Sequence, residues 1–287
     1  MLTHTISSDK VVRGVTLLNN QVFLVRDWSS QIEVYDAETV TLQRHLTVTG
    51  LCKPWDIESC VNYNCLYVAD GKSNYKVHKV VVREDSIFLT IWPMNDWPYG
   101  LSVKTGDCNV IVTFREARKI HEYTPAGLLF REVQLEATIT NPMHAIKIVF
   151  SPTDEKFVVS HGYYKWDWHG VRIVNVDGRT TTKSYGIRGS SYGRLYVPVR
   201  MVLDPYGNVI VVDRCNRRVV LLNRSLEYVE DLLTMQDADG YWDPRRVYLD
   251  EERRRLYVTD NQIGCVLVFR FDFDASHRGE SLMSPEV

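Results

Sequence analysis

The chain has 287 residues, 45% of them hydrophobic and 24% charged, which excludes disordered and fibrous classes. Its formal net charge of −2 excludes a globally basic nucleic-acid binder while leaving room for a local basic patch. It has no apolar run of about 18 residues, so no membrane partner is expected, and the opening MLTHTISSDK lacks the basic-then-apolar pattern of a secretion signal.

Taken in chain order, the expected elements are strands. Residues 2–7 form a lone strand ahead of the first repeat. Apolar runs closed by a polar residue then recur: VFLVRD ending at Asp27, LYVAD at Asp70, VIVVD at Asp213 and LYVTD at Asp260. Two degenerate copies, VIVTF ending at Phe114 and FVVSH ending at His161, fill the gap, so the steps are 43, 44, 47, 52 and 47 residues. Pro54, Pro98, Pro142, Pro198 and Pro244 precede five of these ends by 16, 16, 19, 15 and 16 residues. Val11 takes the equivalent place in the first copy.

The fifth copy shows the internal pattern best. Strands are expected at 199–203, 209–213, 219–223 and 226–233, with the Asp204-Pro205-Tyr206-Gly207-Asn208 turn between the first two. Four short strands at this period indicate a propeller blade. The fold class is therefore all-β, a six-bladed β-propeller with four-stranded blades. Residues 265–270 form the third strand of the last copy, and 2–7 supply its fourth, closing the ring without an unpaired seam. The propeller is expected over 1–273, followed by a polar tail at 274–287. A closed ring needs no second chain to fold, so a monomer is expected.

None of the six cysteines form C-x-x-C pairs, so a zinc ribbon or thioredoxin-like motif is excluded. Reduced cysteines and a cytoplasmic location are expected, with Cys60 and Cys65 as the one candidate disulfide because they flank a turn. Gly189-Ser190-Ser191-Tyr192-Gly193 matches a nucleophile-elbow pattern. That motif needs strand, turn and helix, whereas strand-like RLYVPVR follows here, so no catalytic residue is assigned. No GxGxxG, P-loop or HExxH pattern occurs, so no cofactor is expected.

The unit P-x-x-[IVLM] … [LV]-[YI]-V-x-D-x-x-N-x-x-V resembles the NHL repeat. Its best copy runs Pro198-Val199-Arg200-Met201, Val211-Val212-Asp213 and Asn216-Arg217-Arg218-Val219. The arrangement is similar to the propeller of animal tripartite-motif NHL proteins, without their RING, B-box and coiled coil. The resemblance implies a recognition platform for single-stranded RNA or a protein. Related six-bladed propellers include metal-dependent hydrolases and lyases, and fold alone does not choose between these classes.

In such a ring the inter-blade loops and the loops between second and third strands share one face, here called the top. Six of the seven tryptophans fall on it, all but Trp92. Aromatic rings beside arginines are the makings of a recognition surface, able to stack on bases or apolar side chains and to bind phosphate or carboxylate. The expected ligand residues are Trp28, Trp55, Tyr99, Arg115, Arg118, His144, Trp166, Trp168, Arg200, Arg214, Arg217 and Arg246. The second residue after each proline points to the axis: Asp56, Gly100, His144, Arg200 and Arg246. Two arginines there oppose a metal, so none is expected. The alternative class is a metal-dependent hydrolase or lyase working around Asp56 and His144. The repeated Asp27, Asp70, Asp213 and Asp260, and His161 in the same position, are expected to cap loops through backbone N–H groups.

Overall fold

The computed structural model describes residues 1–7, 10–71, 75–83, 86–104, 106–151, 153–163, 168–238 and 242–271. They form six antiparallel sheets of four strands each. In five blades the strands run in chain order from the axis outward. The sixth pairs Pro244–Asp250, Arg255–Asp260 and Cys265–Arg270, and takes Leu2–Ile6 as its outer strand. Leu2 lies opposite Phe269 and Ile6 opposite Val266, antiparallel, which closes the ring as expected. Innermost strands of neighbouring blades pack on one another all the way round. The expected tail at 274–287 and the expected ligand residue Trp166 lie outside the described residues.

Blade faces are apolar because each must bury both sides against its neighbours. Between blades one and two, Leu18, Phe23, Val25 and Ile32 meet Ile57, Leu66 and Val68, all nearly or fully buried. Each such side chain contributes about 1.5–3 kcal/mol relative to exposure. Trp242, expected on the top face, is fully buried among Val219, Leu233 and Phe269. It is an inter-blade wedge, not a surface contact.

The strand register corrects the first copy by one residue. Val12 pairs with Arg26 as Pro54 pairs with Asp70, so Val12 and Arg26, not Val11 and Asp27, hold the repeat positions. Capping holds for Asp70, which accepts from Cys52 N and Lys53 N at 3.0 Å each, and for Asp213, which accepts from Tyr196 N at 2.7 Å. Asp27 instead pairs with Arg13.

The cysteine expectation is also corrected. Cys60 and Cys65 lie opposite each other in register, yet Cys60 is disulfide-bonded to Cys108 of blade three, with Cα atoms 6.2 Å apart. The blade-three turn carries Cys108 in a left-handed conformation, φ 57°, within reach of Cys60. Cys65 remains a buried thiol.

Candidate recognition site

One local irregularity builds the site. Every innermost strand shifts register just after the residue at the proline position: Val12/Gly14, Pro54/Asp56, Pro98/Gly100, Pro142/His144, Pro198/Arg200 and Pro244/Arg246. A bulge leaves one residue unpaired and re-aims its neighbours. Repeated six times, it sorts the channel into tiers. The bulged residues are Arg13, Trp55, Tyr99, Met143, Val199 and Arg245; Arg13, Trp55 and Arg245 are partly exposed toward the top mouth, whereas Tyr99, Met143 and Val199 are buried behind it. Gly14, Asp56, Gly100, His144, Arg200 and Arg246 form the tier below. Two residues further on come Thr16, Glu58, Ser102, Ile146, Val202 and Tyr248.

The top tier joins with inter-blade loops in an aromatic cluster. Trp55 and Trp97 meet edge to face with centroids 4.9 Å apart, and Tyr99 lies 5.4 Å from Trp55 and 5.7 Å from Trp97. The Arg115 guanidinium sits 4.7 Å from the Tyr99 ring, 4.8 Å from Tyr163 and 5.6 Å from Trp97. Its other partner is Glu116, at 2.7 Å. Arg13 lies 4.5 Å from the Trp55 ring and pairs with Asp27. Lys53 lies over Trp28 at 4.7 Å, and Trp28 itself is 56% exposed. Each cation faces a ring at a distance where the quadrupole attracts it, worth about 0.5–1 kcal/mol per exposed pair.

The second tier is a plug. Blades two and five stand opposite each other in the ring, and Arg200 reaches across the axis from one to the other. Its Nη1 donates to Asp56 Oδ2 and, at 2.7 Å, to the Leu101 carbonyl, while Nη2 donates to Glu58. Arg246 Nε lies 3.3 Å from Asp56 Oδ1, and its Nη2 donates to the Trp55 carbonyl at 2.9 Å. Asp56 Oδ2 also accepts from Leu101 N at 2.8 Å. His144 is stitched in the same way. Its Nε2 donates to the Leu101 carbonyl at 2.9 Å, leaving Nδ1 to accept from Met201 N at 3.4 Å. Burial, and then the adjacent Arg200 charge, hold its imidazole well below the usual value, so it is neutral. Gly100 is required here, because a Cβ would lie 2.6 Å from the Met143 carbonyl.

These contacts change the standing of three expected ligand residues. Arg200, Arg246 and His144 are 2%, 6% and 1% exposed, and they tie the innermost strands of blades two to six together. They are not open at the surface, because the opposed carboxylates of Asp56 and Glu58 draw the arginines inward. Asp56 and His144, the centre of the hydrolase or lyase alternative, spend their polar atoms on this ring.

The remaining expected residues lie further from the axis. Arg214 grips Asp243 through Nε at 2.7 Å and Nη2 at 3.0 Å. Arg118 and Arg217 sit in loops between second and third strands with left-handed φ of 52° and 54°. Trp168 is 53% exposed in the blade-four loop, and Trp166 lies outside the described residues. The structure thus brings Trp55, Tyr99 and Arg115 together, links Trp28 to Trp55 through Lys53, and leaves Arg118, Trp168, Arg214 and Arg217 outside the cluster. Arg13 was missing from the sequence-based set, and Arg245, Trp97 and Tyr163, though placed on the top face by the sequence, were not among the expected ligand residues. For Arg13 and Arg245 the signal was their place one residue after the proline position.

No protein-family model matches the chain, and no curated protein sequence does. Among solved structures, Kuenenia stuttgartiensis hydrazine synthase is similar, with a TM-score of 0.65 and 16% identity over 95% of this chain and 99% of that one. Streptogramin B lyase matches with a TM-score of 0.65 and 13% identity, over 94% and 87% of the two chains. A protein of unknown function from Bacteroides caccae follows at 0.62 and 12%, over 83% and 81%. At these identities the likeness shows the fold alone.

Proposed function

We propose that the chain is a non-enzymatic recognition module that engages a protein partner through its top face. The observation that carries this reading is the cluster of Trp55, Trp97, Tyr99 and Tyr163 around the Arg115 guanidinium at the channel mouth. Aromatic and arginine side chains in a desolvated centre, with a polar surround, are the composition of interface hot spots. Trp28 and Trp168 add exposed rings to the same face. A resemblance to NHL propellers, which serve as recognition platforms, agrees with that role.

The placement of charge favours protein over RNA. Arg13 pairs with Asp27, Arg115 with Glu116, Arg214 with Asp243, and Arg200 with Asp56 and Glu58. Phosphate binding draws its strength from cations that displace counterions, and a guanidinium already paired with a carboxylate contributes little of that. A partner surface carrying aromatic and apolar groups packs on the rings of the same cluster without breaking those pairs.

The test is selection of a random displayed-peptide library and of a random single-stranded RNA pool against the same protein. Peptides that bind the wild type and lose about tenfold or more in Arg115→Ala and in Trp168→Ala support the reading. An RNA motif enriched at low salt and lost in the same variants replaces the protein ligand by RNA. Enrichment of neither removes the top face as a recognition surface.

A further inference from the structure

Below the Arg200 plug lies a cavity of about 260 Å³, lined by Glu58, Ser102, Ile146, Val202 and Tyr248 of the third tier and by their neighbours. Because Arg200 spans the axis above it, the cavity opens toward the bottom face. Its wall is two-sided. Glu58, Ser102 and Tyr248 present polar groups, whereas Ile146, Met201 and Val202 are apolar. Most of the polar groups are spent: Ser102 donates to the Ala145 carbonyl at 2.7 Å, and Lys147 is held by Glu122 and Glu155 at 2.8 Å each. The Tyr248 hydroxyl makes no hydrogen bond among the described residues, and the Glu58 carboxyl is engaged by Arg200 and by the Ser59 backbone N–H.

The charges around this wall set the sign of what fits. Arg200 and Arg246 are balanced by Asp56 and Glu58, and Lys147 by two carboxylates. Around the Tyr248 hydroxyl, burial and then the charges of Glu58, Asp250 and Glu251 push its ionisation upward. The unspent hydroxyl therefore lies in a negative field, which attracts positive charge and repels an anion.

We propose that the lower channel is a binding pocket for a small organic ammonium ion with an apolar body, the ammonium held by the Glu58 carboxylate and the Tyr248 hydroxyl and the body against Ile146, Met201 and Val202. The volume and the mixed lining are those of a small-molecule site. This site is independent of the top face. Glu58 adds a pH signature. Burial raises its carboxyl to about 7, against the opposing pull of Arg200. Asp56 raises it further, Arg246 lowers it, and Lys147 and the neutral His144 line the same cavity. A bound ammonium favours the ionised carboxylate, so binding releases a proton wherever Glu58 is protonated in the free protein.

The test is calorimetric titration with n-butylammonium, with n-butanol and butyrate as neutral and anionic counterparts of the same shape. Butylammonium binds best, and its affinity rises about tenfold between roughly pH 6 and pH 8 as Glu58 ionises. Glu58→Gln removes both the binding and the pH dependence, and Tyr248→Phe weakens binding by about 2- to 10-fold. Thermal melts of both variants separate loss of the site from loss of the fold, and Tyr248→Phe keeps the test open if Glu58→Gln does not fold. Equal binding of butanol, tighter binding of butyrate, unchanged affinity in a folded Glu58→Gln, or no binding of butylammonium at millimolar concentration overturns the proposal.

Discussion

Arg200 and Arg115 are both arginines near the channel, and their surroundings give them opposite work. Arg200 crosses the axis to two carboxylates and a backbone carbonyl and is almost wholly buried. Arg115 lies among rings, with one exposed carboxylate as its ionic partner. Residue type alone cannot distinguish a side chain that holds the ring together from one that addresses a ligand. Position in the repeat can: Arg200 stands two residues past its proline, in the tier that faces the axis, whereas Arg115 follows the end of a second strand, on the loop side of the top face.

The largest effect that tests this contrast is Arg200→Ala. It strands Asp56 and Glu58 in a buried site without their main cation, and a loss of about 3–5 kcal/mol is expected in denaturant unfolding. A loss as small as that of a surface change would place Arg200 with the ligand-facing group. Next comes the covalent link between blades two and three. The Cys60→Ser/Cys108→Ser double variant opens a link between residues 48 apart, and is expected to cost about 2–4 kcal/mol under oxidising conditions, with none of that difference after reduction.

Acid sharpens the comparison between buried and rim groups. Burial, then Arg172, hold His161 down to about 3, so it stays neutral in the folded protein while the unfolded chain takes up a proton near 6.5. Its contribution is complete above about 6.5 and is lost as pH falls toward 3. His144 acts in the same direction. Glu58 opposes them: with its carboxyl raised, the folded state holds a proton that the unfolded state releases, so stability falls as pH rises from about 4.5 to 7. Unfolding measured across this range should show a shallower acid loss in His161→Gln than in the wild type. The smallest expected effect on stability is Arg115→Ala, about 1 kcal/mol or less, because its pair is partly solvated. Its effect should appear instead in partner binding.

Much of the fold is legible in the sequence because the repeat states it six times. Pro198 and Asp213 flank the first two strands of blade five in both readings, and Leu2–Ile6 takes the predicted place in the last sheet. The slip at Val12 arose where the proline was absent and two valines competed for one position. The site was less legible. Arg200 and Arg246 could be aimed at the axis by counting, but their partners stand on blades two and three, and no local pattern announces a pairing between residues 144 apart. The bulge that brings Arg13 and Trp55 to the mouth is likewise a property of paired strands, invisible in either strand alone. Cys108 was separated from Cys60 for the same reason, since register brings Cys65 opposite while the neighbouring blade supplies the bond.

The strand Leu2–Ile6 has a consequence for how the molecule is made. It is synthesised before every other strand of the ring, and its hydrogen-bonding partner, Cys265–Arg270, is the last of the described strands. Five blades can assemble as they emerge, each from contiguous chain, while this one strand waits with its edge unpaired. Ring closure is thus a late event in biogenesis, and a nascent chain stalled before residue 265 would display an open seam at both ends of the arc.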